Sequence, residues 1–292
     1  MNEMSCEEFR EQLREWREDG SRHSDEVVQF WEEGLDTSVE QFGDEKWMVL
    51  EQVTIAAIDM NRPDIVAECL GQLIKQFGES SLRIKRLLAM RLEMDEKWDD
   101  AVEVLDSIIE VDEANSSARK RKIAILKAQG DSNRAVQELV KYLRIFMSDQ
   151  EAWLELSELY SLEQEYSKAA FCMEELLLHN PHNHLYHQRH AEIRYTWGGY
   201  EQLELAKHYY SQAIKLAPSN MRALYGLLLT TSQLAASPRC PQTKKKEFMN
   251  VAVWASKQIS SRYASVGRGG GGAMQGQVAM VKSLMGELEI RD

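Results

Sequence analysis

Five histidines, His179, His182, His184, His187 and His190, fall within twelve residues. Imidazole is the commonest metal ligand and the side chain that most readily moves a proton near neutral pH. His187 and His190 are three apart, so on a helix they share a face and could share an ion. A tetrahedral zinc site would also need cysteine or carboxylate ligands converging on that point, and no local signature supplies them. The competing reading is a polar turn between helices with surface imidazoles, and no metal ligand is assigned.

Other reactive groups form no recognisable constellation. Adjacent carboxylates such as Asp99-Asp100 and Glu174-Glu175 point about 100° apart on a helix, so they do not converge for acid–base work. Cys6, Cys69, Cys172 and Cys240 are far apart and make no CxxC pair, which reads as reduced thiols. Gly269–Gly272 follows no predicted strand and reads as linker rather than phosphate loop. No Ser/His/Asp or Cys/His set has a local signature. The expectation is a non-enzyme with no cofactor.

Charge narrows the partners. The 292-residue chain carries a net charge of -12, which opposes binding to nucleic acid. Two basic runs, Arg119–Lys122 and Lys244–Lys246, fall on predicted helices and read as solvated faces. Residues 1–50 hold 15 acids against 5 bases, while residues 240–292 hold 4 acids against 8 bases. Such asymmetry suits different neighbours at the two ends. The acidic N-terminus lacks the apolar core of a secretory signal, and no stretch approaches the ~18 apolar residues of a membrane span.

The elements that position these groups repeat. Ala67, Ala101, Ala135 and Ala169 are spaced by 34, and Ala206 follows after 37. The clearest unit holds Trp153, Leu156, Ser157, Tyr160, Tyr166, Ala169 and Pro181, the order of a tetratricopeptide repeat. Trp153, Leu156 and Tyr160 share one helical face. Ser157 and Ala169 are small enough to let two antiparallel helices approach, and Pro181 stops the second helix. The fold class expected is therefore all-α, a tetratricopeptide-type solenoid, a right-handed superhelix of antiparallel helix pairs. The three extra residues before Ala206 are placed in a loop, Thr196–Tyr200.

Residues 1–45 are expected to form N-terminal capping helices, with a capping box at Ser5-Cys6-Glu7-Glu8 and one helix over 25–42 burying Val28, Trp31, Leu35 and Val39. The repeat array takes 46–235, a C-terminal capping helix 236–266, and a Gly-rich linker with a terminal helix 267–292. Such arrays bind partners on extended surfaces. Inner-face candidates are Arg83, Arg86, Met90, Lys120, Ala124, Leu154, Glu158 and Gln188. The asparagines of a chaperone-tail clamp are missing from that face.

Several strings exceed generic repeat consensus: Arg119-Lys120-Arg121-Lys122-Ile123-Ala124, Asp149-Gln150-Glu151-Ala152-Trp153, Tyr166-Ser167-Lys168-Ala169-Ala170-Phe171-Cys172 and Asn180-Pro181-His182-Asn183-His184-Leu185-Tyr186. With Asn220–Leu227 and Trp16-Arg17-Glu18, they resemble the family of ER membrane protein complex subunit 2 over about residues 8–263. The Gly-rich tail departs from that pattern. The resemblance implies a non-catalytic, peripheral scaffold on the cytosolic side of the ER membrane, in a complex that inserts tail-anchored and multipass membrane proteins. Its partners would be cytosolic segments of membrane-embedded subunits and a soluble cytosolic subunit. Partner-binding candidates are Arg83, Arg86, Lys120 and Glu158, with Trp197 and Tyr200 as exposed aromatics or, equally, as inter-repeat packing. The alternative is a free cytosolic tetratricopeptide adaptor or co-chaperone that binds peptide segments.

Overall fold

The computed structural model describes residues 6–267, and among them all regular structure is helical. Ser5 of the expected capping box and the terminal helix expected over 274–288 lie outside the described residues, as does the Gly-rich run beyond Gly267. The chain divides into two compact units, Met1–Glu138 and Leu139–Asp292.

Unit 1 opens with α1 (Cys6–Glu18) and α2 (Ser24–Phe30). The single helix expected over 25–42 is broken. A π-helical turn over Trp31–Leu35, a short α3 (Asp36–Ser38) and a 3-10 turn over Val39–Glu45 follow α2. The break falls at Gly34 (φ 129), and a second non-helical residue, Gly43 (φ 58), lies just past the expected end; both are backbone conformations that glycine takes without steric penalty. Val28, Trp31, Leu35 and Val39 are nevertheless all buried. Then come α4 (Lys46–Asp59), α5 (Pro63–Phe77), α6 (Leu82–Met94), α7 (Trp98–Val111) and α8 (Ser116–Ala128). Helix α9 (Ser132–Ile145) contains the boundary between the units. Unit 2 contains α10 (Gln150–Leu162), α11 (Tyr166–His179), α12 (His184–Trp197), α13 (Tyr200–Leu216), α14 (Met221–Ala236) and α15 (Gln242–Gly267).

The hairpins close by one device. Asn61, Glu96, Gly130, Gln164 and Gly198 all take positive φ at the end of the first helix of a pair. After the first four, the next amide reaches back five residues: Arg62 to Ala57, Lys97 to Leu92, Asp131 to Leu126 and Glu165 to Tyr160, at 2.8–3.0 Å. This is the Schellman closure, which satisfies carbonyls the helix end leaves open. Four of the following pairs begin on Asn or Asp. Asn115, Asp149, Asn183 and Asn220 each accept a backbone N–H of the helix they start, as an N-cap should.

Between these ends the small residues sit where the helices meet. Ala101, Ala135, Ala169 and Ala206 are fully buried. In unit 2 the buried Ser157 hydroxyl donates across the pair to the Ala169 carbonyl at 3.0 Å. Ala67 departs from the series: it is exposed, while Val66 and Leu70 are buried. The cause is register. Pro63 starts α5 35 residues before Trp98 starts α7, and one residue turns a helical position by about 100°.

The three extra residues are not in a loop. Tyr200 starts α13 34 residues after Tyr166 starts α11, and α13 has 17 residues where α11 has 14. The insertion is one added helical turn, the length a helix absorbs without changing which face is buried. The connection is only Gly198 and Gly199, both at positive φ.

In the last pairs a different small residue permits the approach. A Cβ on Gly226 of α14 would lie 2.3 Å from ring carbons of Tyr210 on α13, and Tyr210 is itself buried. Gly226→Ala should therefore destabilise the protein by about 1–3 kcal/mol through overpacking, although alanine favours a helix by about 1 kcal/mol. Urea unfolding checks this, and adding Tyr210→Leu should recover part of the loss. At the exposed positive-φ positions the sign reverses. Gln164→Gly should raise stability by roughly 0.5–1 kcal/mol, because a non-glycine residue is strained there.

Candidate partner-binding surfaces

The histidine cluster resolves into separate environments. His190 is fully buried on α12, stacked on Tyr209 with ring centroids 4.0 Å apart. Its Nε2 accepts from Arg194 Nε at 2.9 Å, so Nδ1 carries the proton, and Nδ1 has no hydrogen-bond partner. Burial, reinforced by the positive charge of Arg194, pushes the His190 pKa down to about 3. Arg194 is the hub. Its other nitrogens donate to Gln202 at 2.8 Å and to Glu174 at 2.6 Å, tying α11, α12 and α13 together. His187 donates to the Pro181 carbonyl at 2.8 Å, and His184 accepts from Asn220 at 3.1 Å. His179 and His182 are exposed. Among the described residues no group of three His, Cys, Asp or Glu converges on a point an ion could occupy.

The remaining reactive groups are similarly placed in packing. Cys69 and Cys172 are buried free thiols whose pKa burial pushes up to about 12. A thiol held protonated is a poor nucleophile.

The residues singled out for partner binding divide between the units. Arg83, Arg86 and Lys120 lie in unit 1, and Glu158, Trp197 and Tyr200 in unit 2. Arg83 and Arg86 both donate to Glu51, the first at very short range and the second at 2.6 Å, and Glu51 is only 8% exposed. Lys120 is half-buried on α8 and Glu158 is exposed on α10. Trp197 is the last residue of α12, not a loop residue, and its exposed ring lies 5.6 Å under the Arg194 guanidinium. Tyr200 is the first residue of α13 and half-buried. Its hydroxyl donates to Glu204, which also accepts from Lys244 of α15. Packing absorbs that ring together with Leu203 and Phe248. Of the other inner-face candidates, Met90 and Gln188 are buried, Leu154 is half-buried and Ala124 is exposed.

Sequence reading did not find an open apolar groove in unit 2. In unit 2 the helices α9, α10 and α11 enclose a groove of about 560 Å³ lined by Leu143, Met147, Trp153, Tyr160 and Phe171. Met147 is 62% and Phe171 53% exposed. The Trp153 indole N–H donates to the Met147 carbonyl at 2.8 Å, which holds the ring at one end. Arg144, Lys168 and Glu175 stand at its edge. The available signal was Phe171 itself. It follows the buried Ala169 and Ala170 by two and one positions, and so turns away from the pair contact.

Residues 79–213 match the family model described as the EMC2 TPR-like repeat domain. The chain is 47% identical over 266 residues to ER membrane protein complex subunit 2-A of Xenopus laevis, covering 91% of this chain and 89% of that one. It is 31% identical over 235 residues to ER membrane protein complex subunit 2 of Dictyostelium discoideum, covering 76% and 72% respectively. Among solved structures, the C-terminal part of a TPR repeat-containing protein from Cytophaga hutchinsonii superposes with a TM-score of 0.58 at 15% identity. It covers 82% of this chain and 94% of that one. At that identity the likeness is one of fold.

The buried neutral His190 gives the protein an acid sensitivity of known sign. Its folded pKa lies below the ordinary 6.5, so the unfolded chain binds the extra proton first. The stability from burying it is present above pH 6.5 and is lost as the pH falls toward 3. Between pH 7 and pH 5 the parent should lose about 2 kcal/mol more than His190→Gln, following the linkage between proton binding and unfolding. Parallel urea titrations at the two pH values read the difference.

Proposed function

The chain belongs to the ER membrane protein complex subunit 2 family, and from that membership we propose that it is a non-catalytic scaffold subunit of that complex. It sits peripherally on the cytoplasmic face of the ER membrane and supports insertion of tail-anchored and multipass membrane proteins. Its work is positioning. It holds cytosolic segments of membrane-embedded subunits together with a soluble cytosolic subunit. The repeat array of residues 46–235 supplies the binding surfaces, with caps at 1–45 and 236–266. Among the described residues no helix is long and apolar enough to cross a membrane.

The structural observation that supports partner binding is the apolar groove of unit 2. A protein that stays alone in water rarely keeps Met147, Trp153 and Phe171 open side by side, and such patches mark interaction sites. The occupant is an apolar helical or extended segment of another subunit, with acidic residues beside Arg144 and Lys168. Arg83, Arg86, Lys120 and Glu158 extend the partner surface in their respective units, and Trp197 extends that of unit 2.

A tagged chain recovered from cells in mild detergent should bring a stoichiometric set of ER membrane subunits, identified by mass spectrometry. Met147→Glu with Phe171→Glu replaces only exposed side chains. It should cut recovery of at least one subunit by about tenfold, equivalent to some 1.4 kcal/mol, without changing the melting temperature. Recovery of chaperones alone, or of no stable partner, sinks the assignment and leaves a free adaptor.

A further inference from the structure

Unit 1 carries a second surface of opposite character. Two adjoining depressions, of about 340 and 380 Å³, share Glu51 and Arg83 as their common wall. The first also has Arg17 and Arg22 in its lining, and the second has Arg86. Four arginines thus share the lining of the two depressions with one carboxylate, Glu51, and that carboxylate is already taken up by Arg83 and Arg86. The contrast with the N-terminal sequence is sharp, since residues 1–50 hold three times as many acids as bases.

The arginines are incompletely satisfied. Arg17 donates to the neutral Gln52 amide oxygen at 2.8 Å, and no carboxylate among the described residues hydrogen-bonds it. Burial draws its pKa down, against the pull of Glu45. Arg86 spends one nitrogen on Glu51, while its Nε is buried without a partner. Arg22 reaches Asp59 only at 3.4 Å. Guanidinium forks with spare donors fit carboxylates in pairs. The rest of the lining is mixed: Trp16 stacked under His23, the exposed Met48, Ile55, and the hydroxyls of Ser21 and Ser117.

We propose that this trough binds a short peptide segment of a partner protein that carries one or two carboxylates within a neutral or basic stretch. The carboxylates pair with Arg17 and with the outer faces of Arg83 and Arg86, and apolar side chains of the segment lie on Trp16, Met48 and Ile55. A polyanion is disfavoured by the net charge of -12, because approach of a like-charged body is repelled while a short acid between basic flanks is not. A lipid bilayer is disfavoured by shape, since the arginines line depressions rather than a flat face. This deepens the reading of the array as a partner surface and rests on it, but names a chemistry different from that of the apolar groove.

The test is a selection from a random peptide display library on the purified full-length chain and on Arg17→Gln/Arg22→Gln. Neither arginine holds Glu51, so the fold should be kept, which melting curves check. The expected result is enrichment of Asp and Glu flanked by Lys or Arg among binders of the parent, absent with the variant. A chosen peptide should bind the parent about tenfold tighter than its Gln twin, with a preference that shrinks as salt rises. Equal selection by parent and variant, or no acid enrichment, overturns the proposal. Displacement of the peptide by millimolar inorganic phosphate as effectively as by free peptide would also overturn it, in favour of a phosphate-bearing ligand. The two readings fail separately. A chain that recovers ER subunits but shows no acid preference loses only the trough. One that shows the preference but recovers no ER subunits loses the complex.

Discussion

Two helices can share a buried stripe only if their backbones come close and the chain between them reverses within a few residues. Here both conditions are met by single residues. The reversal needs a positive φ, supplied at Asn61, Glu96, Gly130, Gln164 and Gly198. Three of those five are not glycine, so the turn is held against a local strain of about 1–2 kcal/mol each. In four of the hairpins the turn is sustained because packing is made elsewhere, around the fully buried Ala101, Ala135, Ala169 and Ala206. Once the turn and the contact point are set, the remaining side chains have little choice of face.

Charges then join one pair to the next. Glu51 receives Arg83 and Arg86, Glu93 receives Arg121, and Glu192 receives Arg222, in each case from the first helix of the following pair. Partly exposed pairs of this kind contribute only about 0–1 kcal/mol each, so their effect is to define how one pair sits on its neighbour. Glu51 and Arg194 differ because they are largely buried. Removing a partner from such a cluster leaves polar groups without compensation, which costs more than the pair contributed.

The two proposed binding surfaces follow from what the pairs do not use. Small residues and leucines on the contact faces are consumed, and side chains one or two positions away are left exposed. In unit 2 that remainder is apolar, as at Met147 and Phe171. In unit 1 it is arginine-rich, as at Arg17 and Arg83. The proposed scaffold would have in these two surfaces two chemistries with which to tell partners apart, and neither requires a reacting group.

Fold class was legible in the sequence, because the alanines at 101, 135 and 169 and the order Trp153, Ser157, Tyr160, Ala169, Pro181 reflect a packing rule that acts locally within each pair. The Asx caps at 115, 149, 183 and 220 were equally periodic and could have been read. Other features belong to the tertiary structure. Whether Ala67 is buried depends on a one-residue register shift at Pro63, and whether three extra residues make a loop or a helical turn depends on what α13 packs against. That Arg83 and Arg86 grip Glu51 depends on side chains 32 and 35 residues away. The groove between α9, α10 and α11 is likewise a space between helices. Periodicity states which side of a helix is buried, but the shape left open between helices is decided only when they pack.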